Sequence, residues 1–232
     1  SDLSKIQFVL KAKEDIYSSI DGSLMFEKDS VITTENSGAI VNTGSEVRNG
    51  IYALSLDGHL DISNLPMSTK GASYYLQEVK TLDGCVLDTA QYDAVFKQSD
   101  FTTKNYIKSF DVENKTTDFE FNKTDVTGDK EVEGAQLTIT DEDGNVVDQW
   151  TSDGKVHSIE GLVVGKTYTL SETVTAKDYV KATDIKFTVK NSSELEKVTM
   201  KDKQVFVSKT TVGGEEVTGA HMQIIDEDGN II

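Results

Sequence analysis

The stretch AQLTITDEDGNVVDQW, residues 135–150, decides the fold. AQLTIT and VVDQW are short runs rich in β-formers, and the D-G and G-N steps between them make a hairpin turn. The acidic spacing also raises a calcium loop, because Asp141, Asp143 and Asn145 fall at its first, third and fifth places. Such a loop needs glycine at the sixth place and a bidentate glutamate at the twelfth. Here Gly144 stands fourth and Ser152 twelfth, so a turn without a metal is expected.

DEDGN recurs at 226–230, and its surroundings recur with it. FNKTDVTGDKEVEGAQLTITDEDGNVV (121–147) aligns with VSKTTVGGEEVTGAHMQIIDEDGNII (207–232), allowing a one-residue gap. Lys123 then falls on Lys209, and Gly134-Ala135 on Gly219-Ala220. SKIQFVLKAKEDIYSSIDG near the start takes the place of GAQLTITDEDG in a more diverged copy, entered after its first, lysine-bearing strand. SYYLQEVKTLDGCVLDTAQYDAVF (73–96) parallels TYTLSETVTAKDYVKATDIKFTV (167–189). These repeats divide the chain into 1–117, a complete unit at 118–204, and the start of a third from 205. The first unit carries a longer excursion over about 20–64. Short strands with D-G, N-G and S-G turns at roughly ten-residue spacing predict all-β sandwiches, with a helix of a turn at most inside an insertion.

Composition narrows the function. Apolar residues make 37% of the chain and charged residues 27%, so it is globular. A net charge of −17 argues against nucleic acid and anionic membranes, which bind basic patches. The single cysteine, Cys85, allows no intramolecular disulfide and reads as a small core residue on a strand. No run is long enough for a membrane helix. The chain starts without Met or a signal pattern, which reads as a piece of something longer. No hydrolase, zinc-protease, P-loop or dinucleotide motif is present, and His59, His157 and His221 are scattered, so no enzyme and no cofactor is expected.

Strand periodicity exposes an anomaly. Residues two apart share a face, so Phe119, Phe121 and Lys123 point together. So do Tyr168, Leu170, Glu172 and Val174, and so do Val198, Met200 and Asp202. The pattern returns as Tyr74, Leu76 and Glu78; as Phe110, Val112 and Asn114; and as Val205, Val207 and Lys209. One charged residue on an apolar face marks a strand end near solvent. A lysine, a glutamate and an Asp or Asn repeated on three strands imply a need for them together in the core, because buried charges are costly unless paired.

The segments FNKTD…VEGAQLTI…DEDGNVV, YTLSET and VTMKDK resemble the Cna-B and SpaA-type domains of Gram-positive surface adhesins and pilins. The resemblance is weaker over 1–117, where Cys85 stands in place of the usual tyrosine. It implies tandem Ig-like sandwiches of the Cna-B, or reverse-Ig, type and a self-forming isopeptide bond. On this sequence Lys123 would join Asp202 with Glu172 assisting. The first unit keeps Glu78 and Asn114 without a lysine strand, and the last segment keeps Lys209 alone. Burial favours a neutral, nucleophilic amine and a protonated carboxyl, which suits that reaction. The resemblance further implies a structural stalk on the extracellular, cell-wall-anchored surface, with neighbouring repeats as partners. An alternative places binding of host matrix protein or glycan on residues 25–63 of the first unit. A third possibility is strand exchange between copies, Lys209 of one molecule bonding to Asn114 of another.

Overall fold

The computed structural model describes residues 2–102, 107–205, 207–225 and 229–231. Nine strands precede residue 100: β1 (Gln7–Ala12), β2 (Ile16–Tyr17), β3 (Leu24–Phe26), β4 (Ile40–Thr43), β5 (Ser45–Arg48), β6 (Ile51–Ala53), β7 (Asp61–Ser63), β8 (Gly71–Lys80) and β9 (Gln91–Lys97). Five of them form a sheet in the order β5-β6-β1-β8-β9, and β2-β3 and β4-β7 form two small ladders. One helical turn, α1 (Thr34–Ser37), lies in the excursion. Thr33 and Asn36 cap its start reciprocally, and Gly38 ends it at φ +72°.

The excursion builds core. Ile32 and Tyr52 are fully buried, and the Tyr52 hydroxyl donates to the Ile32 carbonyl at 2.7 Å. They pack with Leu10, Ala12, Ile16, Tyr74 and Phe96, while Val41, Leu60 and Ile62 close the cluster from the side. Fully burying such side chains is worth roughly 1.5–3 kcal/mol each.

Eight strands follow: β10 (Asp118–Asp125), β11 (Glu133–Thr140), β12 (Val146–Asp153), β13 (His157–Glu160), β14 (Thr167–Val174), β15 (Tyr179–Val180), β16 (Ile185–Thr188) and β17 (Glu196–Gln204). They form two four-stranded sheets, β13-β10-β17-β15 and β12-β11-β14-β16. Between them lies a core of Phe119, Phe121, Leu137, Ile139, Tyr168, Leu170 and Met200. The all-β sandwich expected from the turn spacing is the fold observed. β10 and β17 run parallel, with Lys123 opposite Met200 and Asp125 opposite Asp202.

The turn at 141–145 is a hairpin between β11 and β12. Gly144 adopts φ +83°, which an L side chain resists. The Asp141 carboxylate accepts from the backbone N–H groups of Asp143 and Asn145 at 2.9 and 2.8 Å and from the Asn145 carboxamide at 2.9 Å. These bonds stabilise the turn without an ion. Among the described residues no acidic or histidine cluster of metal-binding form occurs. The second DEDGN lies partly outside the described residues.

Loop 81–90, between β8 and β9, makes contacts with the C-terminal sheets. Cys85 sits there and not on a strand as expected, half-buried and bridged to Thr116. Val86 N–H donates to Lys115 O at 2.8 Å, and Thr117 N–H donates to Gly84 O at 3.1 Å. The Asn191 carboxamide pairs with both backbone groups of Leu87, at 2.8 and 3.1 Å. Gly84, at φ +80°, lies so close to Gly161 that a Cβ would fall 2.4 Å from its carbonyl oxygen.

Candidate functional site

The three charged residues singled out on separate strands meet in the C-terminal sandwich. β10 alternates so that Phe119, Phe121 and Lys123 are each 2% exposed. β17 brings in Asp202 from the neighbouring parallel strand, and β14 brings in Glu172 from the facing sheet; both are fully buried. Lys123 Nζ donates to Asp202 Oδ1 and lies 3.2 Å from Glu172 Oε1. The second contact has ion-pair distance without hydrogen-bond alignment.

Lys123 and Asp202 meet because of register. Parallel pairing sets Lys123 opposite Met200, one pleat short of Asp202, and both side chains turn inward. Leu137 of β11 lies opposite Glu172, which fixes the glutamate to the inner face of the other sheet. Val174 departs from expectation and is 50% exposed. The β11–β14 register shifts between Gln136 and Leu137, so β14 leaves the core after Glu172.

Burial pushes the Asp202 carboxyl above its usual range. The hydrogen bond and positive charge of Lys123 pull it down, and the charge of Glu172 pushes it up again. Glu172 Oε1 and Asp202 Oδ2 are buried without a partner among the fixed donors. A side-chain hydrogen bond with Glu172 is a further influence that raises the Asp202 carboxyl. The site thus holds one lysine and two carboxyls in a medium that disfavours charge.

A contributor that the side-chain pattern does not reveal is the backbone N–H of Ala182, which donates to Glu172 Oε2 at 2.7 Å. It aims Oε1 at Lys123. In the N-terminal sheets the Asp88 N–H does the same for Glu78, also at 2.7 Å and also ten residues on. The only sequence signal for either donor is that shared spacing. Glu78 is 3% exposed, and Asn114 meets it, donating from Nδ2 to Glu78 Oε1 at 2.8 Å. No lysine joins this pair among the described residues. Lys209 is exposed in the C-terminal segment, with Val205 and Val207, so the apolar face expected there is not buried.

His157 stacks on Trp150, with ring centroids 4.1 Å apart, and pairs with Asp148 at 2.7 Å. Trp150 in turn contacts Phe121.

Residues 117–204 match the family described as SpaA, prealbumin-like fold domain. No curated protein sequence matches the chain significantly. Among solved structures the chain is similar to the Bacillus anthracis TIE protein at 20% identity and a TM-score of 0.46. That match covers 99% of this chain, which spans 38% of the TIE chain. It is also similar to the C-terminal fragment of the pilus adhesin SpaC from Lactobacillus rhamnosus GG, at 14% identity and a TM-score of 0.43, covering 89% of this chain and 91% of that one. The shaft pilin SpaA of the same organism gives 14% identity and a TM-score of 0.34, covering 88% of each chain. Over residues 117–204 the chain is thus similar to the SpaA family of the prealbumin-like fold.

Proposed function

We propose that this chain is a structural stalk segment of a Gram-positive surface adhesin or pilin, stiffened by a self-formed Lys123–Asp202 isopeptide bond. The observation that carries the reading is the fully buried contact of Lys123, Glu172 and Asp202. The chain is divided into 1–117, 118–204 and a further repeat from 205, and it works outside the cell with neighbouring repeats as its partners.

The chemistry follows from the proton inventory. An ammonium, a carboxylate and a carboxylic acid carry the same protons as an amine and two carboxylic acids. In a dry site the uncharged set is favoured. A proton passes from Lys123 Nζ to Glu172, and the free amine attacks Cγ of Asp202. Glu172 returns its proton to the Asp202 oxygen that departs and takes the surplus proton from Nζ, so one amide bond forms and one water leaves. Folding supplies the proximity, so the reaction occurs once per molecule and the chain is no enzyme in the turnover sense.

Intact mass under denaturing conditions tests this. The wild-type chain should be lighter than its calculated mass by one water. Lys123→Ala and Glu172→Ala should each restore the full calculated value. A wild-type chain of full mass would remove the crosslink and with it the stalk mechanism.

A further inference from the structure

The hairpin of β2 and β3 presents apolar side chains to solvent on a seated frame. Ile16 lies opposite Phe26, and both are buried in the N-terminal core. Tyr17 lies opposite Leu24, and both are exposed. Met25 beside them is exposed as well, and Ile20 in the connecting turn is 95% exposed. An adjoining group of exposed apolar side chains on a folded protein marks a contact site for a partner.

The turn that carries Ile20 is held by its own polar groups. Ser18 N–H donates to Ser23 O at 2.7 Å, and Gly22 N–H donates to Ser18 O at 3.1 Å. The Asp21 carboxylate accepts from the N–H and hydroxyl of Ser23 at 3.0 and 2.7 Å, and Ile20 N–H donates to Ser18 Oγ at 3.1 Å. Serine, aspartate and glycine are the residues such a turn needs. The Ile20 side chain adds no bond to it and no core contact, and a residue that departs from local chemistry without a local gain marks a functional position. Because the turn is formed beforehand, little freedom is lost when Ile20 is covered.

The charges around the hairpin define the partner. Glu14, Asp15, Asp21, Glu27 and Asp29 are exposed along this segment, against Lys28 as its one basic group. The hydroxyl and N–H of Ser23 hold the Asp21 carboxyl below the usual carboxylate range, so it is ionised at neutral pH. Asp15 accepts from Lys28 N–H at 2.9 Å and lies 3.5 Å from the Tyr17 hydroxyl, which sets a carboxylate at the edge of the apolar group. A second copy, at a net charge of −17, is repelled by such a rim, and so is an anionic bilayer. A cationic protein surface is drawn to it.

We propose that hairpin 16–26 is a docking element for a basic protein segment. Apolar side chains of that segment cover Tyr17, Ile20, Leu24 and Met25, and its lysine or arginine groups pair with the acidic rim. This contact is separate from the Lys123–Asp202 bond and needs no covalent step.

The test is fluorescence anisotropy of a labelled peptide of alternating leucine and lysine, titrated with the full chain. An oligolysine of equal charge and zwitterionic phosphatidylcholine vesicles are measured beside it. The expected result is saturable binding of the leucine–lysine peptide, about tenfold or more tighter than oligolysine. Ile20→Ser and Met25→Ser alter only exposed side chains, so both should melt as wild type does. Each should weaken the leucine–lysine peptide by about tenfold and leave oligolysine unchanged. Leu56→Ser, at an exposed residue between β6 and β7, should change neither. Absence of saturable binding, equal binding of the two peptides, or wild-type affinity in Ile20→Ser overturns the proposal. So does partition onto the vesicles that Ile20→Ser abolishes, which would make the hairpin a bilayer contact instead.

Discussion

Glu172→Gln separates the crosslink from the packing around it. Glutamine keeps an oxygen for the Ala182 N–H and leaves Lys123 paired with Asp202, but it cannot take and return the proton. The bond would close a loop of 79 residues between Lys123 and Asp202. The chain-entropy relation for crosslinks gives about 4.5 kcal/mol at 25 °C for a loop of that size. In a domain of fewer than 100 residues, each kcal/mol moves the melting temperature by about 4–8 °C, so the variant should melt roughly 20–35 °C lower. The assay is calorimetry of wild type and variant, with intact mass measured on the same samples. A variant that has lost the water deficit yet melts within a few degrees of wild type would refute the reasoning. The covalent loop would then add no stability, and the sandwich would stand on its core alone.

Three further outcomes are expected. Lys123→Ala leaves Asp202 unbonded and more tightly protonated when folded than when unfolded, since burial raises it from 3.8. That contribution is complete below about pH 4 and is lost as pH rises through the raised value; the melting temperature of the variant relative to wild type should therefore fall as pH rises above about 4. Asn191→Ala removes both bonds to Leu87, worth about 1–2 kcal/mol together, and should speed proteolysis at 115–118; Gly84→Ala, with its Cβ against Gly161, should do so more strongly. Calcium at about millimolar concentration should leave calorimetric melting unchanged, because the Asp141 oxygens are already engaged, whereas Asp141→Ala should cost about 1 kcal/mol.

The buried site was legible because charge on an apolar strand face is rare, and three strands carried it in the same order. Period-two alternation placed Lys123, Glu172 and Asp202 inward, and the structure buries all three. Alternation could not say where a strand leaves the core, which is why Val174 is exposed beyond the register shift. It could not show the Ala182 and Asp88 backbone donors either, since every non-proline residue has one. Val205, Val207 and Lys209 have the inward pattern without the burial, because burial needs a facing layer and a pattern supplies only one side. Cys85 was expected on a strand, but it lies in a loop held by Lys115, Thr116 and Thr117.

The parallel pairing of β10 and β17 has a consequence for damage. If Lys123 and Asp202 are joined as proposed, a pull on the two ends of the C-terminal sandwich would run along β10 to Lys123, cross the amide bond, and leave through the last residues of β17. Everything from Thr124 to Lys201 hangs beside that route as a closed side loop. A protease cut in the hairpin at 141–145, or at any other turn in that span, would open the loop without severing that path. With that bond in place the turns of the loop would be free to vary in sequence, and to be nicked, while the short covalent path stays intact.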